Sequence, residues 1–463
     1  MSSPAARPVG LPLLRLNGRQ VEAGGEPISL RGIGLGNWMM VEHFMLGLPQ
    51  VDHVMRRAFR DLLGEASEHA FWDTYMATYF AEEDFAYLRG LGFNHVRVAF
   101  DYRHLESDSR PYDYREAGFG LLDRVVGWCR RHDLYVLLDL HAAPGCQASD
   151  WNAGSADGEA LLLQVQDFQD RTAGLWGAVA RRYRDEPTVM GYEILNEPVT
   201  RDAVEVGRMN DLTRSCLAAI RREDGDHIVI VNGDRHATDL AAIAPDIFDD
   251  PQVMAAFHFY HQYTEPLRVV ERFPGVHEGA AIDEDYLVQQ TGLAVRSERD
   301  RIARPEYLGE FGINYWGGSP SQVEAQRSIL ESVIHHANVN GIHWNLWHYK
   351  DVRGMGLLAM RDDTPWMSFL HEAGVADLAS RAAVARERYL AEVAAVLPLP
   401  DWRRSRLASE AERDFQLELL YATVGRLKGR SLRDLEELAG SFASRNFVPD
   451  GRMEALLRRL LAE

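Results

Sequence analysis

Two glutamates follow short apolar stretches of the chain in a similar way. Glu197 lies in Val189–Val199 (VMGYEILNEPV), where an apolar stretch gives way to Asn, Glu and Pro. Glu310 lies in Pro305–Asn314 (PEYLGEFGIN), again after a short apolar run. An apolar run bounded by proline is typical of a buried strand that ends there. Either glutamate alone could be a salt-bridged strand end. As a pair they match the needs of glycosidic bond cleavage, with one carboxyl group as acid and base and the other as nucleophile.

The segments that must position these glutamates alternate between strand and helix patterns. The predicted strands are Ser29–Ile33, His95–Phe100, Tyr135–Leu140, the segment ending at Glu197, His227–Asn232, Val253–Tyr260, the segment ending at Glu310, and Ile342–Tyr349. The predicted helices are Glu65–Arg89, Glu116–Arg131, Leu162–Tyr183, Val204–Arg222, Asp283–Ala303 and Ser319–Val339. Alternating strands and helices indicate a parallel sheet, and eight strands predict an α/β fold, a closed (β/α)8 TIM barrel. An open doubly wound sheet is the alternative, but Gly32, Gly34 and Gly36 do not fit the GxGxxG spacing that binds dinucleotides.

Polar and aromatic side chains recur at or near the ends of the predicted strands. They are Trp38, Arg97, His141, Asn196, Glu197, His258, Tyr260, Glu310 and Trp347. Each alone could be structural, as a buried ion-pair member, a core histidine or a core tryptophan. Because a parallel barrel brings the carboxyl ends of its strands to one rim, we expect the set to converge on one site. The histidines His141, His258 and His261 lack a metal-ligand spacing, so no metal and no cofactor is predicted.

Composition excludes several classes of partner. The chain has 463 residues and a formal net charge of -19, which disfavours binding to nucleic acid and to anionic membranes. The N-terminal sequence lacks the apolar core of a signal peptide, and no run is long enough to cross a bilayer. Three widely spaced cysteines imply neither a disulfide framework nor a zinc motif. We therefore predict a cytoplasmic protein without a transmembrane segment.

The last part of the chain has a different amino-acid composition. From about residue 376 it is rich in Ala, Leu, Arg and Glu with helical spacing, and a helix is predicted over Phe415–Leu427. Ser431 and Asp434 form a helix-start pattern. These features predict a catalytic barrel domain over residues 1–375 and a helical extension over residues 376–463. The extension is expected to pack on the barrel, or on a second copy of the chain in a homo-oligomer.

These motifs give the chain a family resemblance. It resembles family 5 glycoside hydrolases, which belong to a large clan of retaining enzymes with (β/α)8 barrels. The matching motifs are Leu195–Pro198 (LNEP), Gly309–Gly312 (GEFG), His258–Tyr260 (HFY) and Arg97, and the resemblance covers roughly residues 28–350.

Within that family the chain is most similar to the exo-β-1,3-glucanase and β-glucosidase branch. Leu35–His43 stands where the branch has LGGWLVLEP, and His141–Gln147 stands where it has HGAPGSQ. Trp344, Trp347 and Lys350 match the spacing in its eighth strand. The differences at Asn37, His43, Ala142 and Cys146 lie in loops expected to line the pocket, so the exact substrate stays open.

The resemblance implies a role for each matching residue. Glu197 would be the acid and base, and Glu310 the nucleophile, with Arg97 and Tyr260 favouring its anion. Asn196 would bind the sugar 2-hydroxyl. Further substrate contacts are implied for Trp38, Glu42, His141, His258 and Trp347.

The predicted function is hydrolysis of β-glucosides or short β-glucan oligosaccharides by a retaining β-glycosidase. One alternative is a β-glucosidase that acts on glycolipids, suggested by the apolar loop Phe44–Pro49 after the first strand. Another is a catalytically silent carbohydrate-binding barrel. Sugar identity, linkage, endo or exo action and oligomeric state stay open.

Overall fold

Eight parallel strands form the centre of the protein. The computed structural model describes residues 10–261, 265–292, 299–313, 318–352, 354–397 and 399–463. The barrel strands β1 to β8 are Arg31–Leu35, His95–Asp101, Tyr135–Ala142, Val189–Glu193, Ile228–Asn232, Val253–His258, Glu306–Phe311 and His343–Leu346. They are hydrogen-bonded in chain order, and β8 closes the barrel on β1. The predicted (β/α)8 fold is therefore confirmed.

Helices cover the outside of the barrel. Those between β1 and β8 are His43–Leu46, Asp52–Leu63, Glu65–Thr78, Glu82–Leu91, Glu116–Arg131, Gln166–Tyr183, Ala203–Glu223, Asp234–Ala237, Glu265–Val269, Glu284–Gly292, Arg299–Ile302 and Pro320–Val339. The predicted helix Glu65–Arg89 is in fact two helices. The second begins at Glu82 because the carboxylate of Asp84 accepts the backbone N–H of Ala81 at 2.8 Å, which caps a new helix start.

Several predicted elements have different ends in the structure, among them the strand before Glu197 and the helix Asp283–Ala303. Strand β4 stops at Glu193, so Glu197 lies four residues beyond it rather than at its end. A regular strand cannot continue through Glu197 and Pro198, because Glu197 has a left-handed backbone (φ 47°) and Pro198 has no N–H for a ladder. The predicted helix Asp283–Ala303 corresponds to two described helices, and residues 293–298 between them lie outside the described part of the chain, as does Asn314.

The chain after β8 adds a further helical layer. Its helices are Pro365–Glu372, Val375–Val396, Asp401–Gly425, Leu432–Gly440 and Gly451–Leu461. Ser431 caps its helix through the backbone N–H of Asp434, as the sequence pattern indicated. A short strand that the sequence did not predict, Phe447–Pro449, pairs antiparallel with Leu358–Met360. The division into a catalytic domain and an extension after residue 375 stays a prediction. Among the described residues, no helix is long and apolar enough to span a bilayer.

Candidate active site

A cavity of about 760 Å³ lies at the carboxyl ends of the barrel strands. Seven residues predicted from the sequence line it: Glu42, His141, Glu197, His258, Tyr260, Glu310 and Trp347. Arg97 and Asn196 are completely buried next to this cavity and contact its polar groups. The barrel therefore brings together residues that are far apart in the sequence.

Glu310 is held by a hydrogen bond on each of its carboxylate oxygens. Arg97 Nη1 donates to Oε1 at 2.5 Å, and the Tyr260 hydroxyl donates to Oε2 at 2.7 Å. Charge-assisted hydrogen bonds of this kind are stronger than neutral ones and stabilise the carboxylate form. Arg97 and Tyr260 thus fix the position of the Glu310 carboxyl group at the cavity.

Arg97 joins Glu310 to two more carboxylates inside the barrel. Its Nε donates to Glu193 at 2.6 Å, and its Nη2 lies 3.1 Å from Asp139. Burial opposes the charge of Arg97, but the three carboxylates outweigh it and hold the pKa of the guanidinium well above its ordinary value. Sequence reasoning did not single out Glu193 and Asp139. Each of the two is an acidic residue within an otherwise apolar predicted strand, and this pattern could have indicated them.

Glu197 has different surroundings from Glu310. Asn152 Nδ2 donates to its Oε2 at 2.5 Å, and His258 Nδ1 lies 2.6 Å from its Oε1. Burial raises the pKa of Glu197, and the charges of His236 and Arg97 and the hydrogen bond from Asn152 offset this only in part. A raised pKa suits a group that must donate a proton near neutral pH. The two glutamates therefore differ in their partners, because Glu310 is paired with a guanidinium whereas Glu197 contacts an amide and an imidazole.

His258 lies between the two glutamates. Its Nδ1 is 2.6 Å from Glu197 and 3.8 Å from Glu310. Burial lowers the pKa of His258 to about 4, so the imidazole is neutral at pH 7. His141 is also neutral, because burial lowers its pKa to about 4; its Nδ1 lies 2.7 Å from Asp139 and its ring stacks on Trp347.

Glu42 is a third carboxyl group at this cavity. Burial, together with the charges of Glu310 and Glu197, raises the pKa of Glu42 well above its ordinary value. A carboxyl group that stays protonated can donate a hydrogen bond to an oxygen atom of a ligand. Glu42 lies next to Trp347 in the lining of this cavity.

Among the described residues, Glu197, His258 and Glu310 have ligand atoms within 4.8 Å of one another, close enough to approach a common metal ion. However, Arg97 already occupies one oxygen of Glu310 with a positive charge, which opposes a second cation there. The absence of a required metal stays a prediction.

Trp38 is the predicted site residue that the structure does not bring into the cavity. Its indole lies in the core between barrel and helices, edge-on to Phe80, and its Nε1 donates to the carbonyl of Met76 at 3.1 Å. Conversely, Trp151, Asn152 and His236 line the cavity without having been predicted. Trp151 and Asn152 lie in the short 3-10 helix Trp151–Ala153, and His236 lies in the four-residue helix Asp234–Ala237. Elements this short give no periodic signal in the sequence.

The model of the cellulase family, glycosyl hydrolase family 5, matches residues 63–352, which is more than half of the chain. The chain belongs to glycosyl hydrolase family 5. It is therefore a glycoside hydrolase, and the resemblance drawn from the motifs is confirmed.

Relatives within the family carry different names. A beta-xylosidase of Phanerodontia chrysosporium is 28% identical over 469 residues, covering 94% of this chain and 95% of the relative. That coverage includes most of the residues after 375. A probable glucan 1,3-beta-glucosidase A of Aspergillus clavatus is 25% identical, covering 69% and 82%. An endoglucanase structure from Thermotoga maritima has a TM-score of 0.51 at 21% identity, covering 71% and 91%, and shows the shared fold.

Proposed function

We propose that this family 5 enzyme is a retaining β-glycosidase that hydrolyses β-glucosides or short β-glucan oligosaccharides by double displacement. The observation that supports this most directly is the spacing of its two glutamates. One carboxyl oxygen of Glu197 and one of Glu310 lie within 4.8 Å of each other. Retaining enzymes have carboxyl groups about 5–5.5 Å apart, whereas inverting enzymes need about 6.5–9.5 Å to admit a water molecule.

In this proposal the two glutamates have different roles, in keeping with their different surroundings. Glu310 attacks the anomeric carbon, and Glu197 gives its proton to the leaving oxygen as the glycosidic bond breaks. A water molecule then attacks the glycosyl-enzyme while Glu197 takes its proton, which releases the sugar and frees the Glu310 carboxylate. Arg97 and the Tyr260 hydroxyl stabilise that carboxylate before attack and after release.

Other residues of the site bind the sugar in this proposal. Asn196 Oδ1 accepts from Arg97 at 2.8 Å, and its Nδ2 lies 3.2 Å from His141. This fixes the amide so that its second N–H can reach the sugar 2-hydroxyl, a contact that strengthens in the transition state. Glu42 and Trp347 contact the remaining hydroxyls and the ring face.

β-Xyloside hydrolysis is the second candidate function. The relative that matches almost the whole chain is named a beta-xylosidase. Glucose and xylose differ only by the hydroxymethyl group on C5, so the same pair of glutamates would serve either sugar.

Hydrolysis of 4-nitrophenyl β-D-glucoside and β-D-xyloside tests the proposal and separates the two candidates. Glu310→Gln should lower turnover by several orders of magnitude with the fold intact, because an amide is nearly isosteric but a poor nucleophile. A 2-deoxy-2-fluoro glycoside of the preferred sugar should label Glu310. A label on another residue would refute the assignment, and absence of turnover on every β-glycoside would favour a silent carbohydrate-binding barrel.

A further inference from the structure

A second cavity, of about 480 Å³, lies between the barrel and the C-terminal helices. It is bordered by the helices Pro365–Glu372, Val375–Val396 and Asp401–Gly425 and by the loop that follows His43. We call it the aglycone groove. Apolar side chains dominate its lining, among them Leu48, Met367, Leu370, Val375, Phe415 and Leu419. Its volume falls within the roughly 300–1,000 Å³ typical of small-molecule sites.

The groove is next to the catalytic cavity. His43 lines both of them. In the described part of the chain, its buried Nδ1 has no hydrogen-bond partner. Burial lowers the pKa of His43 to about 4, so the imidazole between the two cavities is neutral at pH 7. The side chain that the two cavities share therefore carries no charge that would disfavour an apolar group beside it.

Contacts connect the groove to Glu197, which gives its proton to the leaving oxygen in the proposed reaction. Asn152 donates to Oε2 of Glu197. Trp151, the residue before Asn152, packs against His43 with ring centroids 4.1 Å apart. From Glu197, contacts thus lead through Asn152 and Trp151 to His43 and the groove. In that reaction the aglycone is the part of the substrate that extends beyond the oxygen that Glu197 protonates.

We propose that the aglycone groove binds an alkyl chain, so that the preferred substrates are β-glycosides with an apolar aglycone. This rests on the proposed function, because an aglycone is bound there only if Glu197 protonates the leaving oxygen. The lining also includes the ion pair of Arg386 with Glu412. An alkyl chain in the groove would therefore contact mostly apolar side chains, because the charges of this pair neutralise each other.

Alkyl β-glycosides test the proposal in the wild-type enzyme. Methyl and hexyl glycosides of the preferred sugar have alcohol leaving groups of nearly equal chemical reactivity, so a rate difference reports binding of the chain. Each methylene that enters the groove should raise kcat/KM by up to about fourfold. We expect hexyl to exceed methyl by at least about tenfold, mainly through KM, because the chain is bound equally in ground and transition states.

A pair of substitutions on one helix tests the location. Ala379 lines the groove, and Ala385 is an exposed residue of the same helix that does not. Ala379→Trp should fill the groove and reduce the hexyl-to-methyl ratio to about one, because each methylene excluded from the groove loses its burial. Ala385→Trp should keep the wild-type ratio. Thermal unfolding of both variants verifies that they are folded.

The outcomes separate this proposal from the proposed function. Turnover of aryl glycosides without any chain-length preference would leave the glycosidase intact and overturn the groove. A hexyl-to-methyl ratio of kcat/KM that Ala379→Trp leaves unchanged would also overturn the groove as the binding site of the alkyl chain. If Ala379→Trp instead alters the oligomeric state in size-exclusion chromatography while the wild type ignores chain length, the groove binds a second copy of the chain and the proposal is wrong. Failure of every glycoside to react would refute both.

Discussion

Arg97 and Lys350 are both completely buried cations, but they lie in different regions and have different neighbours. Arg97 is inside the barrel with the carboxylates of Asp139, Glu193 and Glu310 around it. Lys350 lies just after β8, where the C-terminal layer meets the barrel. Its ammonium donates to Asp84 at 3.1 Å, to Ser444 Oγ at 2.9 Å and to the carbonyl of Tyr79 at 2.6 Å.

The number of carboxylates decides what each buried charge can do. Burial lowers the pKa of Lys350 to about 8, with Asp84 alone as the main opposing charge. At Arg97, burial also opposes the charged form, but three carboxylates outweigh this effect and raise the pKa of the guanidinium. One of the three, Glu310, faces the cavity. The barrel cluster thus places a carboxyl group at the cavity, whereas the Lys350 cluster joins two layers of the fold.

Arg97→Lys tests this difference with the largest expected effect. One ammonium cannot replace a guanidinium that contacts three carboxylates, so kcat/KM should fall by at least about 100-fold. Steady-state kinetics on the nitrophenyl glycoside measures it. Arg171→Lys is the matched control, because Arg171 is another buried arginine with two carboxylate partners, Glu106 and Asp108, outside the catalytic cavity. Wild-type activity in Arg97→Lys would contradict the catalytic role of the cluster.

Lys350→Met should affect stability instead of chemistry. It leaves the buried carboxylate of Asp84 without its cation, and breaking a buried pair in this way costs about 3–5 kcal/mol of unfolding free energy. Denaturant unfolding measures this loss, and kcat at low temperature should be unchanged. Arg361→Met, which removes an exposed pair with Asp363, should leave the unfolding midpoint where it is. An equal effect of both substitutions would mean that Lys350 does not anchor the C-terminal layer.

Tyr260→Phe shows how much of the stabilisation of Glu310 comes from Arg97 alone. The substitution removes the hydroxyl that donates to Oε2. The nucleophile then loses a donor to its anionic form, so the acid limb of the pH–rate profile should move up by roughly one unit or more. Tyr135→Phe, whose hydroxyl bonds to the carbonyl of Pro12 away from the site, is the control. If both profiles coincide with that of the wild type, Tyr260 does not support the nucleophile.

Asn152→Ala should have the smallest effect and act on the opposite limb. Asn152 donates to Glu197 and favours its ionised form, opposing the rise that burial causes. Without this hydrogen bond the pKa of Glu197 rises further, so the protonated acid persists to higher pH. The basic limb should therefore move up, by less than about one unit. A downward shift, or movement of the acid limb alone, would contradict the assignment of Glu197 as the acid.

The sequence predicted the barrel because its signal is distributed over the whole chain. Eight apolar strands each carry enough periodicity to be located, and the helix Glu116–Arg131 has the predicted ends. Residues near strand ends, such as His141 and Tyr260, could be predicted because a barrel fixes where those ends point. The difference at β4 arose because an apolar run does not show where the backbone turns left-handed.

The features that the sequence did not predict depend on side-chain direction and on the conformation of short connecting segments. Trp38 follows β1 closely, but its indole turns outward into the helical layer, and strand position alone cannot decide this. Asn152 reaches Glu197 from the three-residue 3-10 helix Trp151–Ala153, and His236 reaches the cavity from the four-residue helix Asp234–Ala237, both within the connections that follow strands. Loop conformation has no periodicity from which such contacts follow. The strand Phe447–Pro449 is only three residues long, too short for an alternating pattern.

The stereochemistry of hydrolysis tests the central claim most directly, namely that Glu197 and Glu310 act together on one sugar. Their carboxyl oxygens lie within 4.8 Å, which leaves no room for a water molecule between the nucleophile and the sugar. Proton NMR during the first minutes of hydrolysis, before mutarotation, shows which anomer forms first. The account predicts the β-anomer, from two successive inversions. First appearance of the α-anomer would contradict the double displacement and the roles given to both glutamates.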